Sequence, residues 1–425
     1  MSIDCYSIAS QLEIMLKFPW FALFLVTSIS TSATEFPVTD VAAFAAAAKK
    51  VEPGDTIILE NGTWADARLQ IHSNGTAEQP ITIVARSPGK VILTGDSRIS
   101  LAGKHLIVDG LWFRNPTGED SIELRINPHE LADDCRITNC AVTNDHPGIQ
   151  KKESVRFVSI FGSRHRIDHC YLAGKNTGGA TLVVWLAEGQ ELAAHRIDHN
   201  YFGHRQRLGR NGGETIRIGD SKTSMLTASC IVEHNLFEKC DGEVECISNK
   251  SCGNIYRNNR FVEVSGTLTL RHGNGCRVEN NVFLGAGARG SGGVRIIGED
   301  HVVSGNHFDT LSGDDERSAL CFMLGVPDSA AHEYFQVVRA TVTGNTFLNC
   351  KHNIVIGMSG HEEASLPPVE TSIRGNFIQT NKAEAFEILC EVDGVAVEGN
   401  SVSEERPADI PTEATVEPSG PRWWH

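Results

Sequence analysis

Three glycine-led segments of this chain carry charge where an ordinary strand would carry none. They read NGGETIRIG at residues 211–219, GEVECISNKS at 242–251 and GTLTLRHGNG at 266–275. Asn211, Glu214, Glu243 and Glu245 offer four oxygen donors, and all-oxygen sets of this kind suit calcium rather than zinc or copper. Exposed glutamates are also commonly just solvated, and spacing alone leaves that reading open. Lys250 follows the glutamate pair and Arg271-His272 stands on the next segment, so cations lie beside the anions. An acidic sugar would make sense of the mixture. Removing a proton α to a carboxylate puts a carbanion beside an existing negative charge, and a cation bound to that carboxylate relieves the obstacle.

The elements that must position these residues come from a repeat. Copies include IVDGLWF at 107–113, RIDHCYL at 166–172, RIDHNYF at 196–202, IVEHNLF at 231–237, RVENNVF at 277–283 and TVTGNTF at 341–347, with a minimum spacing of 22 to 24 residues. One coil of three short strands cannot bury its apolar side chains alone, so coils stack and the interior fills with aligned Val, Ile, Leu and Phe. The expected fold is all-β: a single-domain right-handed parallel β-helix. Asn200, Asn235, Asn259, Asn281, Asn306, Asn345, Asn376 and Asn400 recur at one bend, where asparagine tolerates left-handed backbone and its amide can bond the coils on either side.

Asn235 precedes Val244 and Cys246 by nine and eleven residues, as Asn259 precedes Leu268 and Leu270. Equal offsets predict that these four point inward, leaving Glu243, Glu245, Thr267, Thr269 and Arg271 on one outer face. Neighbouring coils lie about 4.8 Å apart, so both carboxylates are within reach of the next coil.

Residues 39–51 place apolar side chains at helical spacing, with Thr39 as N-cap and Pro53-Gly54 as the stop. This capping helix is expected to precede the first strands, at 55–59 and 81–85, and to cover the open first coil. The insertions 172–194 and 308–340 are expected to wall a groove. After residue 403 the pattern stops, and 404–425 reads as a proline- and acid-rich tail with Trp423-Trp424 unexplained. Cys230, Cys252 and Cys276, spaced by 22 and 24, read as small apolar core residues in equivalent coil positions.

Residues 1–33 read as a signal peptide: Lys17, an apolar run at 18–26, and a small-residue site at Thr31-Ser32-Ala33, with Met15 able to serve as the start. The run is too short to span a membrane, so the expectation is a secreted or periplasmic protein with a mature domain at 34–403. A net charge of −15 argues against a general nucleic-acid binder. The run His204-Arg205-Gln206-Arg207-Leu208-Gly209-Arg210 offers a local basic patch, or a solvated loop.

On this repeat, the segments NGGETIRIG, ISNKS and LRHGNG resemble polysaccharide lyase family 6, the family of alginate lyases and chondroitinase B, over residues 35–403. The resemblance implies Asn211, Glu214, Glu243 and Glu245 as Ca2+ ligands, Lys250 as the base that takes the C5 proton of a uronate, and Arg271 as the acid for the leaving oxygen. It implies His272 and Arg295 as substrate-binding positions. The NGGETIRIG form with Glu214 is more similar to the alginate lyases, which makes the expected partner an anionic polysaccharide, alginate. A dermatan sulfate lyase, a β-helix glycosidase using paired carboxylates such as Asp314-Asp315, and a non-catalytic carbohydrate-binding protein are the alternatives.

Overall fold

The computed structural model describes residues 33–151, 154–190, 192–406 and 419–424. The signal peptide expected at 1–33 lies, apart from Ala33, outside them. From Ala33 onward the chain is one compact unit, a parallel β-helix of three long sheets with 14, 14 and 13 strands. Each coil gives one strand to each sheet, and sequence-adjacent coils pair in parallel. Ile137, Ile167, Ile197 and Val232, for example, align in successive strands of the first sheet.

The interior is built from repeating positions. Phe202, Phe237, Phe261, Phe283, Phe308 and Phe347 stack ring on ring at 4.5–4.9 Å, so one residue of the repeated motif becomes a continuous apolar column. The asparagine ladder forms as expected. From Asn200 to Asn400 each amide donates to the carboxamide oxygen of the next at 2.9–3.0 Å, and that same oxygen accepts the preceding coil's backbone N–H. The left-handed residue is not the asparagine, however. It is its predecessor: His199, His234, Asn258 and Asn280 have φ of 53–55°, and glycine takes the same place at 305, 344, 375 and 399. The tight bend falls one residue early, which frees the asparagine to turn inward and serve buried backbone groups.

The start of the chain differs from expectation. A strand, Glu35–Val38, comes before the helix and pairs with Thr56–Leu59. The helix is shorter, Val41–Ala48, and its N-cap is Asp40, whose carboxylate accepts the Ala43 N–H at 2.8 Å. Asp40 carries the acceptor at the residue nearer the helix, so it displaces Thr39 from that role. Phe44, Ala47 and Ala48 are buried against the first coil, so the helix does cap the core.

None of the eleven cysteines among the described residues is in a disulfide. Cys230 and Cys276 occupy the same buried bend, but the residue between them in the stack is Asn254, because Ile231 aligns with Ile255 and Ile255 with Arg277. Cys252 lies two residues earlier and is half-buried. Equal spacing concealed that offset. Among the described residues no helix is long and apolar enough to cross a membrane.

Candidate active site

The three charged segments lie side by side on one sheet, as the strands Ile216–Gly219, Glu245–Lys250 and Thr267–His272, followed by Val294–Ile296 and Leu320–Met323. Their register is not the one that equal offsets predicted. Glu245 aligns with Thr267, Ile247 with Leu268, Ser248 with Thr269 and Lys250 with His272, with irregularities after Glu245 and after Asn249. Ile247 therefore takes the inward place beside Leu268, and Val244 is half-buried and faces the cleft. The coil bearing the glutamates is longer than its neighbour, and bulged strands absorb the excess locally, which no count from a distant asparagine can register.

The irregular strand still sets the charged side chains on one surface. A cleft of about 350 Å³ is lined by Asn211, Glu243, Glu245, Lys250, Arg271, Arg295, Glu316 and Tyr334 among others. Six of the eight residues singled out in the sequence line this cleft, and the other two, Glu214 and His272, are buried next to it. Glu214 lies beneath it, 3% exposed, close enough for its charge to act on Glu243.

Glu245 is held by cations and a hydroxyl. Arg295 Nη2 donates to its Oε1 at 2.5 Å, Ser248 Oγ donates to its Oε2 at 2.5 Å, and Arg271 Nε stands 3.6 Å from Oε1. Arg271 is itself fixed: Nη1 and Nη2 donate to the carbonyls of Glu333 and His332 at 3.0 and 2.9 Å, and the guanidinium lies 4.2 Å from the Tyr334 ring centre. Burial pulls the Arg271 guanidinium below its usual range, with Glu245 opposing. Lys250 is half-buried and, among the described residues, makes no side-chain hydrogen bond or ion pair.

His272 is only 1% exposed. It packs edge-on to Phe335, with Nδ1 3.5 Å from Arg271 Nη1 and Nε2 3.5 Å from Ser221 Oγ. Burial, with the charges of Arg271 and Lys250, drives its pKa down to about 3, so the ring is neutral and stands behind the cleft surface. Arg295 is also buried, at 3% exposure, and its guanidinium is engaged by Glu245.

The carboxylates show how far this site fits a cation. Glu243 is pushed up to about 8 by burial and by the neighbouring charges of Glu214 and Glu245, while its Oε1 accepts the Gly213 N–H at 3.2 Å. Glu214 Oε2 is buried and has no hydrogen-bond partner among the described residues. Three crowded carboxylates, one with an unsatisfied buried oxygen, make a donor set that an oxygen-seeking cation would satisfy. The set is open as it stands. Asn211 is exposed and accepts its neighbour's N–H at Gly212, and among the described residues no three acidic, His or Cys side chains converge on one point.

The insertion 308–340 does wall the cleft, through Glu316 and Tyr334 and through the carbonyls that hold Arg271. Tyr334, Glu316 and those carbonyls were not visible in the repeat, because an insertion has no periodicity to place it. The other insertion, 172–194, supplies none of the residues lining this cleft; Leu186, Ala187, Gln190 and Leu192 instead line a separate small hollow. Asp314 is exposed and paired with Lys351 and His352, away from the carboxylates of the cleft.

Fold and cleft together define a parallel β-helix protein with a groove of alternating acids and bases across one sheet. The profile of the chondroitinase B family matches residues 38–416, and the chain belongs to that family, polysaccharide lyase family 6. It is 39% identical to the PL6-family alginate lyase AlyGC, with a TM-score of 0.84 over 89% of this chain and 52% of that one. It is 32% identical to a mannuronic acid specific family 6 lyase from human gut microbiota, with a TM-score of 0.79 over 87% of each chain. The chain thus spans about half the length of AlyGC. No curated protein matches it by sequence.

Proposed function

We propose that this protein is a lyase that cleaves alginate by β-elimination. The observation that carries the reading is one cleft in which an unpartnered lysine amine, an arginine fixed in place by two carbonyls, and a crowded carboxylate group lie together. Lys250 is the base that takes the C5 proton of a bound uronate. The electron pair left behind forms the C4–C5 double bond as the C4–O bond breaks, and Arg271 gives a proton to the departing oxygen. Arg295 and Ser248 hold Glu245 in place, and the Tyr334 ring keeps Arg271 from swinging out of line. Asn211, Glu214, Glu243 and Glu245 would hold a calcium ion, which when bound supplies positive charge to the uronate carboxylate. Alginate is favoured over dermatan sulfate because the 39% and 32% identical structures are named as an alginate lyase and a mannuronic acid specific lyase.

The test is an assay of both polymers with the products sized. Alginate should yield ultraviolet-absorbing unsaturated ends faster than dermatan sulfate does, chelator should suppress this, and calcium should restore it. New reducing ends without the absorbance would make the protein a hydrolase, and full activity in protein shown to be metal-free would remove calcium. The chain is further read as exported with its mature end near Thr34, and intact mass of secreted protein checks that boundary.

A further inference from the structure

Two polar side chains stand where the interior of the helix is otherwise apolar. Asn249 takes the inward position between Ile218 and Leu270 on the sheet that carries the cleft, and Tyr256 takes the one between Val232 and Val278 on the first sheet. On other coils the same two places are filled by Val184, Ile296 and Phe322 and by Ile167, Ile197 and Val303. Asn249 and Tyr256 are both fully buried. A buried carboxamide or phenol costs stability unless it is paired, and these two exceptions meet: Tyr256 Oη donates to Asn249 Oδ1 at 2.7 Å. Burial pushes the phenol well above its usual pKa, so it keeps the proton that it donates.

The remaining valences of Asn249 are used at the irregular pairing beneath the cleft. Asn249 lies opposite Leu270 but Lys250 lies opposite His272, so Arg271 is an extra residue, bulged out of the pairing with the lysine strand. Asn249 Nδ2 donates to the carbonyl of Ser251, next after Lys250, at 2.9 Å, and to the carbonyl of His272, next after Arg271, at 2.8 Å. One buried amide thus ties down the backbone just beyond both cations. Its oxygen is held in turn by Tyr256 and by Asn254 Nδ2, also at 2.7 Å, and Asn254 donates as well to Ser251 Oγ at 2.8 Å. Gly273 lets the two strands close up at this point: its φ is 81°, and a side chain there would stand 2.3 Å from the Ser251 carbonyl carbon.

We propose that Asn249 and Tyr256 are positioning residues, a buried polar pair that holds the Arg271 bulge in place and so sets Lys250 and Arg271 for their two proton transfers. Regular pairing would put Lys250 directly opposite Arg271, two cations on strands about 4.8 Å apart, and like charges so placed repel. The bulge offsets them and re-aims both side chains. A bulge gives up ladder hydrogen bonds, and the Asn249 amide supplies donors to carbonyls on both strands at that place. The inference rests on the lyase reading for the work of Lys250 and Arg271, but the bulge and its pin are read from the fold alone.

The test uses Tyr256→Phe, which keeps the ring and removes the hydroxyl, Asn249→Leu, which matches Leu270 beside it, and the double variant. Steady-state kinetics on alginate, melting curves and crystal structures are compared with wild type. Asn249→Leu should lose on the order of 10²-fold in kcat with KM within about twofold, the signature of displaced reacting groups. Tyr256→Phe leaves Asn254 on the amide, so it should lose about fivefold in kcat and lower the unfolding temperature by no more than about 3 °C. Asn249→Leu strands the buried Tyr256 hydroxyl, so adding Tyr256→Phe should recover melting temperature without recovering turnover. A merely structural pair would recover both together. The crystal structure of Asn249→Leu should show Lys250 opposite Arg271. Recovery of turnover along with stability, or an unchanged register, overturns the proposal. Tyr256→Phe preserves volume and decides the matter if Asn249→Leu does not fold: wild-type turnover in it also overturns the proposal. If wild-type protein makes no unsaturated product from alginate, the lyase reading falls, and the register in the variant crystal structures decides the pin by itself.

Discussion

At the scale of single residues, Lys250 and Glu245 differ in what surrounds them, and that difference assigns their work. Glu245 is engaged by Arg295 and Ser248, with Arg271 close by, so it is held in place and is a poor carrier of a proton. Lys250 lines the same cleft, and among the described residues no hydrogen bond or ion pair engages its amine. Proton transfer is an interaction made only in the transition state, so its loss should appear in kcat and spare binding. Lys250→Ala should therefore lose on the order of 10²-fold or more in turnover on alginate while KM stays near wild type. Steady-state kinetics on folded protein decides it: a variant that keeps its turnover and loses only affinity would make Lys250 a substrate clamp. His272, neutral, buried and pinned behind Arg271, would then be a poor substitute as base, and the proton acceptor would have to come from the wall insertion.

At the scale of the element, the bends explain what could and could not be read from the sequence. Asparagine and phenylalanine recur at fixed places in the motif, so coil number, the Asn ladder and the Phe column were legible from spacing. The register of the catalytic strands was not, because the irregularities around Ile247 and Lys250 depend on how two particular coils of unequal length meet. A second bend went unread because its occupants vary. Residues 165, 195, 254 and 301 all receive the backbone N–H of the residue one coil below, on His Nδ1 or Asn Oδ1, at 2.8–3.1 Å. Histidine can accept there only when that nitrogen is unprotonated, and burial lowers the pKa of His165, of His195 and of His301, the last to about 4. A depressed folded-state pKa means that the unfolded chain binds the proton first. The stability each ring contributes is complete above about pH 6.5 and is lost as pH falls through the folded value. The unfolding temperature should fall between pH 7 and 4, and His301→Asn, which copies the Asn254 solution, should fall less steeply over that interval. Melting curves at a series of pH values test this, and identical slopes for variant and wild type would refute it.

At the scale of the whole molecule, the segment after the last coil is not the loose end that its composition suggests. Ser419–Trp424 lies against coils 185 or more residues earlier in the chain. Trp423 Nε1 donates to the Asn139 carbonyl at 2.8 Å, Trp424 stacks on Tyr171 at 4.3 Å and meets Trp112 edge-on at 5.4 Å, and the Gly420 N–H reaches the His199 carbonyl at 2.8 Å. Gly89 makes room for this contact, since a side chain there would stand 2.3 Å from the Trp423 ring. Composition could not announce the strap, because its ring partners, the half-buried Trp112 and Tyr171, stand on separate coils far away in sequence, and a proline-rich acidic stretch precedes it. Two half-buried tryptophans stabilise by roughly 2 kcal/mol after their remaining exposure is discounted, which for a domain of this length is about 2–3 °C in unfolding temperature. Removal of 419–425, or Trp423→Ala with Trp424→Ala, should produce that loss. Gly89→Ala should produce a similar one without touching the tail, with added strain from its φ of 73°. Trp112 and Tyr171 stand on a different sheet from the charged cleft, so activity at a temperature well below unfolding should be unchanged. Scanning calorimetry alongside the alginate assay separates the outcomes. An unchanged melt in both tail variants would mean that the strap adds no stability, and lost activity with an unchanged melt would mean that it acts on the cleft across the helix.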